Sequence, residues 1–505
     1  MKKERIVAND IKKNHPQQKS HSTDMYYQRL ANQLQDCMLD CGIGLWDYAP
    51  KVIHQAAITL TSYLEDIVAD SGPWRMFSQL CQQMYGHPVP MYHEPEEYYP
   101  DEPSLNAVRY ILWATVSKVS GDIVFADGRA LEKVAAAAYD ILNEAFEEAP
   151  VNEQLADDID YLLRFATEGF DQMRSVLLWL FTGCYLTTGK NNEDLLNRHT
   201  EEAMSMMEND DMPLITPRMA MFYSATKCAF SYQIGPLALY PKDWLAELMR
   251  LKGMEKAASD VEKIEMLYAG TYKYEFSSPG RLLLTRTNGR QIELPANDLN
   301  MTDMMLREHD GCIATSFIYY QQEWHLNGMV FPVEGIAKKW EMYCNDDPEN
   351  LKPGTQTLTA EMALDRTCGQ RIAYFADREQ MKDFLVEKIK FPRHMLGFVD
   401  ERGGDLPTIF IDELEPKNSL QFFFGYSPYI ADPGNPFYDA EKAQEKAINL
   451  LWDAEAVTTH AINYLLEHNF LPDIENDKTF SRRNTPQQTR ADIDFVMRFW
   501  RRENY

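Results

Sequence analysis

Thiols are scarce in this chain. Eight cysteines are spread over 505 residues (Cys37, Cys41, Cys81, Cys184, Cys228, Cys312, Cys344 and Cys368), and none forms a Cys-x-x-Cys pair. That spacing excludes a disulfide-rich framework and the common zinc-ribbon and thioredoxin-type motifs, and it fits a reducing compartment. Long apolar runs are also missing. The strongest one, Val176-Leu177-Leu178-Trp179-Leu180-Phe181, fades by Leu186, short of the roughly 20 residues that span a bilayer. It reads as a buried helix. The start, from Met1-Lys2-Lys3-Glu4-Arg5 to Asp24, holds no apolar stretch of the kind that directs secretion, so a cytoplasmic protein without a membrane segment is expected.

Positive charge is in deficit too. Fifty Lys and Arg stand against 77 Asp and Glu, a formal charge of −27, which repels a phosphate backbone and disfavours nucleic acid as a general partner. A basic protein or a divalent cation is the easier partner, and solubility alone is the plainest use of such a surplus. Several catalytic templates are absent: no Gly-x-Gly-x-x-Gly, no His-Glu-x-x-His and no Gly-x-Ser-x-Gly occurs. Gly183 to Lys190 resembles a phosphate loop, but Gly189 comes one place too late and Asn191 stands where a magnesium-binding hydroxyl belongs.

What is present is core material, 45% hydrophobic and 12% aromatic, enough for a globular chain of several units. The expected fold class is a multidomain α+β protein. Residues 1–23 carry six Lys or Arg, two acids and Pro16, little that can be buried, and predict a flexible tail. Residues 24–269 repeat apolar positions at three and four, as in Leu105, Val108, Ile111, Leu112 and Val116, and predict an all-helical domain. Ser104 is placed as an N-cap, and Pro150 ends the Ala-rich helix from Arg129 to Glu148. From 270 to 360 alternation and turns such as Asn288-Gly289 predict a small antiparallel sheet or barrel. From 361 to 505 strands at 371–375, 408–411 and 420–424 mix with helices capped by Asp377 and Asp439, an α+β domain.

Few constellations suggest chemistry. Ser224-Ala225-Thr226-Lys227 matches Ser-x-x-Lys, yet no Lys-Thr-Gly follows. Cys37 and Cys41 lie one helical turn apart without a neighbouring His, and read as core thiols. The densest feature runs from Tyr92 to Pro103 and holds five carboxylates (Glu94, Glu96, Glu97, Asp101, Glu102), His93 and three tyrosines. Its prolines favour a stiff connector whose tyrosines pack on the helices; a partner-binding loop, or a metal-assisted hydrolase site with His87 or His93, is the sharper alternative. Asp157-Asp158-Ile159-Asp160 suits the positive end of a helix whose Tyr161, Leu162 and Phe165 are expected to face inward. Arg482, Arg483, Arg490, Arg498, Arg501 and Arg502, with Phe480, Phe495, Phe499 and Trp500, form a basic, aromatic C-terminus that could bind RNA or merely complete a core.

Three stretches resemble a known family: Tyr98-Tyr99-Pro100-Asp101-Glu102 through Trp113, Glu148-Ala149-Pro150-Val151-Asn152-Glu153, and Asp432-Pro433-Gly434-Asn435-Pro436-Phe437-Tyr438-Asp439. They are similar to an uncharacterised bacterial family of gut anaerobes, a domain of unknown function, over most of the chain. The resemblance implies a bacterial cytoplasmic origin and supplies no activity, cofactor or site. The sequence therefore assigns no catalytic, cofactor-binding or metal residue and leaves the oligomeric state open. The leading expectation is a non-enzymatic interaction or regulatory protein with a basic protein partner. The alternatives are the hydrolase at the 92–103 loop and nucleic-acid binding through the sheet and the basic C-terminus.

Overall fold

A computed structural model describes residues 5–42, 49–93, 98–121, 124–205, 216–299, 311–328, 330–332, 340–346, 358–397, 399, 405–414, 419–453, 456–471 and 479–501. They divide into two compact units, 1–352 and 353–505.

The first unit begins with helices α1 (Ala8–Lys12), α2 (Asp24–Asp40), α3 (Ala49–Ala69), α4 (Pro73–Tyr85), α5 (Leu105–Ser120) and α6 (Arg129–Glu148). It continues with α7 (Glu153–Phe165), α8 (Phe170–Thr182), α9 (Lys190–Ser205), α10 (Pro217–Ser231), α11 (Pro241–Leu251) and α12 (Glu255–Glu262). The three-and-four spacing is met: α6 buries Leu131, Val134, Ala135, Ala138 and Leu142 along one side. Ser104 caps α5 by accepting the Ala107 N–H at 3.0 Å. Helix α3 is buried on nearly every side, including its polar Thr61, Glu65 and Asp66.

The stretch expected as a flexible tail contributes buried side chains from residue 6 onward. Ile6 and Ile11 are fully buried and His15 and His21 nearly so. Composition misleads here because the few apolar side chains are spaced to enter the core while the lysines stay outside. Asn32 on α2 holds the backbone of Ile6 at both ends, accepting its N–H at 3.3 Å and donating to its carbonyl at 2.9 Å.

Strands begin earlier than the helical spacing suggests. β1 (Glu265–Ser278) pairs with β2 (Arg281–Arg286), which pairs with β3 (Gln291–Pro295); β4 (Cys312–Tyr320) lies on the other side of β1 and carries β5 (Glu323–Leu326) and β6 (Phe331–Pro332). Glu265, Met266 and Leu267 are drawn into the ladder opposite Tyr319, Ile318 and Phe317, so distant pairing overrides local period. All pairings are antiparallel. Tyr272, Leu282, Leu284, Ile292 and Phe317 fill the inner face. The sheet leans on the helices: the Tyr320 hydroxyl donates to the Ala166 carbonyl at 3.3 Å and His325 stacks on Phe170. Helix α13 (Trp340–Asp346) follows.

The second unit contains α14 (Ala360–Arg366), β7 (Ile372–Tyr374), α15 (Arg378–Glu387), β8 (Thr408–Ile411), β9 (Leu420–Phe423), α16 (Ala440–Trp452), α17 (Thr459–Glu467) and α18 (Pro486–Arg501). The strands form an antiparallel sheet in the order β7-β8-β9. Asp377 and Asp439 cap α15 and α16. The fold is thus α+β, with a helical front, a central antiparallel sheet and a small sheet with helices at the end. Among the described residues no helix is long and apolar enough to cross a membrane.

Candidate functional site

Polar chemistry concentrates where the N-terminal strap crosses α2, α3 and α7. His15 and His21 stack nearly parallel, with ring centroids 4.2 Å apart. His15 Nε2 lies 3.0 Å from Glu65 Oε2, and its Nδ1 lies 3.3 Å from the Lys19 carbonyl and 3.8 Å from Asp24 Oδ1. Both ring nitrogens therefore face acceptors. Burial alone would lower the His15 pKa, but the hydrogen bond and charge of Glu65, with the Lys19 carbonyl and Asp24, outweigh it and hold the value above the usual range.

His21 is fixed differently. Asn152, at the start of α7, accepts the Leu155 N–H through Oδ1, which turns its amide nitrogen toward Glu65 Oε1 at 2.7 Å and His21 Nδ1 at 2.9 Å. His21 Nδ1 must then accept, and the ring carries its proton on Nε2, 3.1 Å from Asp158 Oδ2. Lys19 reaches Asp158 Oδ1 at 2.8 Å. Asp24 takes the His21 backbone N–H on Oδ2, while its Oδ1 is buried and without a hydrogen-bond partner. The sequence reading missed this centre because two of its members sit in the presumed tail. A signal existed: Asp158 lies three residues after buried Leu155 and four before buried Leu162, and a carboxylate on an apolar stripe needs a partner.

The residues singled out from sequence are dispersed. In the 92–103 stretch, Glu94, Glu96 and Glu97 lie outside the described residues. Tyr92 donates to the Ala126 carbonyl, in the connection between α5 and α6, at 2.7 Å, and Tyr98 accepts the indole N–H of Trp74 on α4 at 2.8 Å, while Tyr99 is exposed. His87 Nδ1 meets the Val89 carbonyl at 2.9 Å, and the His93 ring lies 3.7 Å from that of His87. Ser224 is buried with no hydrogen-bond partner for its hydroxyl, and Lys227 instead lies 3.4 Å from His199 Nδ1. The Ser-x-x-Lys pattern makes no activated pair. Cys37 is pushed up to about 11 by burial and by its neighbour Cys41, the opposite of a reactive thiol.

Tyr161 corrects an expectation, since it lies outside, stacked on Phe165 beneath Lys19, and the inward face is Leu155, Ile159, Leu162 and Leu163. At the C-terminus Phe480, Phe495 and Phe499 are core residues, which removes them as a stacking platform for bases. Arg498 pairs with Asp494 and Arg490 with Asn469. On the central sheet Arg281 faces Glu293, and Arg290 faces Glu265 and covers Trp324.

The described surface also carries exposed apolar side chains at the start of α10. On α10, Met219, Met221 and Phe222 are 43, 49 and 46% exposed, and Met204 stands exposed near the end of the neighbouring α9. Glu201 and Glu202 are exposed beside it.

A family model described as "Protein of unknown function (DUF3843)" matches residues 5–281 and 343–502. No curated protein and no solved structure matches the chain.

Proposed function

From the premise that the chain belongs to the DUF3843 family of proteins of unknown function, we propose that it is a non-enzymatic interaction or regulatory protein of the bacterial cytoplasm. Its partner is a protein carrying a basic amphipathic segment. The observation that carries this reading is the exposed Met219, Met221 and Phe222 on α10, with Met204 and the acidic Glu201 and Glu202 on α9. Large exposed apolar side chains support a contact role, and methionine adapts to a partner helix by adjusting its own rotamers. The flanking carboxylates, within a chain of charge −27, choose a basic partner and speed its approach. Eight sparse cysteines without a Cys-x-x-Cys pair support a reducing compartment.

The test is titration of the purified protein with a helical probe peptide bearing Lys and Arg on one face and Leu and Trp on the other. Binding is expected to weaken about tenfold between low and high salt, as screening removes the electrostatic part, and to be lost in a Met221→Asp, Phe222→Asp double variant. Affinity indifferent to both changes, or no affinity, would reject the reading.

A further inference from the structure

We propose that the His15 imidazolium is a pH-sensitive latch that holds the N-terminal strap on the helical body and releases it as the medium turns alkaline. This inference is independent of the partner surface on α9 and α10.

The geometry favours one protonation state. A neutral imidazole donates from one nitrogen and accepts on the other, whereas imidazolium donates from both. Around the His15 ring every polar neighbour is an acceptor. Its Nε2 lies 3.0 Å from Glu65 Oε2 on α3, and its Nδ1 lies 3.3 Å from the Lys19 carbonyl and 3.8 Å from Asp24 Oδ1 on α2. Loss of either proton turns a ring lone pair toward oxygen. It also leaves the buried Glu65 and Asp24 carboxylates without a counter-charge, since among the described residues neither has another cationic partner.

The other groups packed around the ring do not replace that charge. From the strap, His21 stacks on His15 but accepts from Asn152 on Nδ1, and the Lys19 ammonium is turned to Asp158 on α7 at 2.8 Å. From α2 the Tyr27 hydroxyl donates to the Pro150 carbonyl, and from α3 Ser62 takes the Asn14 amide. At the start of α7, Asn152 gives Glu65 only a neutral donor, at 2.7 Å. Burial works against the His15 charge, but Glu65, the Lys19 carbonyl and Asp24 outweigh it and keep the proton in place above the ordinary 6.5.

Below that ordinary value the bound and the released strap both hold the proton, and the latch is fully closed. As pH rises past it, the released strap gives up a proton that the bound strap keeps. Release therefore grows by up to about tenfold per pH unit and levels off beyond the raised value. The strap yields before the helices because its other holds are few: Ile6 and Ile11, the Asn32 clasp on Ile6, and the contacts of Lys19 and His21 with Asp158. Helices α2 and α3 also pack on each other and on α5 and α6.

The experiment follows hydrogen exchange of the full chain by mass spectrometry from about pH 6 to about pH 9, each rate divided by its base-catalysed intrinsic rate. Strap amides are expected to open at least about tenfold more at the alkaline end, while α11 stays protected. His15→Gln has no ring to titrate, and its strap should open equally at every pH. A parent strap indifferent to pH, an equal rise in the variant, or a rise shared by α11 would overturn the proposal. If the variant does not fold, nitrogen resonances of labelled histidine in the parent decide. One ring must carry protons on both nitrogens at about pH 7.5 and lose one over the range in which the strap opens; the absence of such a ring refutes the latch.

Discussion

His199 on α9 stands between groups that pull its proton in opposite directions. Its Nε2 lies 2.6 Å from the Tyr232 hydroxyl, and its Nδ1 lies 2.8 Å from Glu202 and 3.4 Å from Lys227. Burial lowers its pKa first, the Glu202 hydrogen bond raises it, and the Lys227 and Arg198 charges lower it again; the net value falls below the ordinary 6.5. A base depressed by folding leaves the unfolded chain to take the proton first. Stability from His199 is therefore complete above the unfolded pKa and declines as pH drops through about 6.5 toward the lowered folded value. A His199→Gln variant should lose that part of the acid sensitivity. Melting temperatures of both proteins, followed from neutral to mildly acidic pH, are expected to converge on acidification; parallel curves would show that His199 does not carry the effect. The same neighbourhood shows what a local pattern can and cannot tell. The four-residue match at Ser224 and Lys227 was visible in the sequence, but helix rotation sends Ser224 inward and Lys227 to His199. His15, His21 and Asp24 were equally visible as letters, and only contacts over long sequence separations, to Glu65, Asn152 and Asp158, reveal them as a group.

Elements were more legible than residues, because period and capping are local. The spacing foretold α6 at its observed limits, and Ser104, Asp377 and Asp439 cap as expected. The Asn288-Gly289 turn joins β2 to β3 through the Arg286–Arg290 backbone pair. Where partners are distant, legibility ends: β6 pairs with β4, and β1 takes residues whose spacing looked helical. Helix α4 is the clearest case. It opens with Gly72 and Pro73 and has no local side-chain cap, and its cap arrives from the preceding helix. Asp66 on α3 accepts the Gly72 and Trp74 N–H groups at 2.9 and 2.6 Å, the Ser71 hydroxyl at 2.5 Å and the Tyr185 hydroxyl at 2.8 Å. Burial pushes the Asp66 pKa up against these donors. Asp66→Ala strands several buried donors at once and should cost about 3 kcal/mol or more. Asp66→Asn keeps an acceptor oxygen and should cost less. Urea midpoints measure both, and an alanine variant as stable as the parent would remove Asp66 as the anchor of α4.

At the scale of the whole molecule, the strap of residues 5–23 tests whether the first unit is complete without its first turn of chain. Ile6 and Ile11 are fully buried in that unit, and full burial contributes about 1.5–3 kcal/mol for each such side chain. Ordering the strap consumes much of this gain, since fixing each residue costs about 1–2 kcal/mol. What deletion leaves behind therefore weighs most. Glu65, 1% exposed, loses His15, and Asp158 loses both His21 and Lys19. Removing one partner of a buried pair costs about 3–5 kcal/mol, a large part of the about 5–15 kcal/mol that holds an ordinary domain together. A chain starting at Ser22, compared with the parent, is expected to unfold at clearly lower urea. The loss should appear in hydrogen exchange of α2, α3 and α7, while exchange within β7, β8 and β9 of the second unit stays as it was. Equal midpoints would return the first 23 residues to the mobile tail that their composition suggested. Unequal ones would show that two isoleucines and two histidines in a strap of basic composition can form part of a core when the carboxylates that receive the histidines are carried by helices far along the chain.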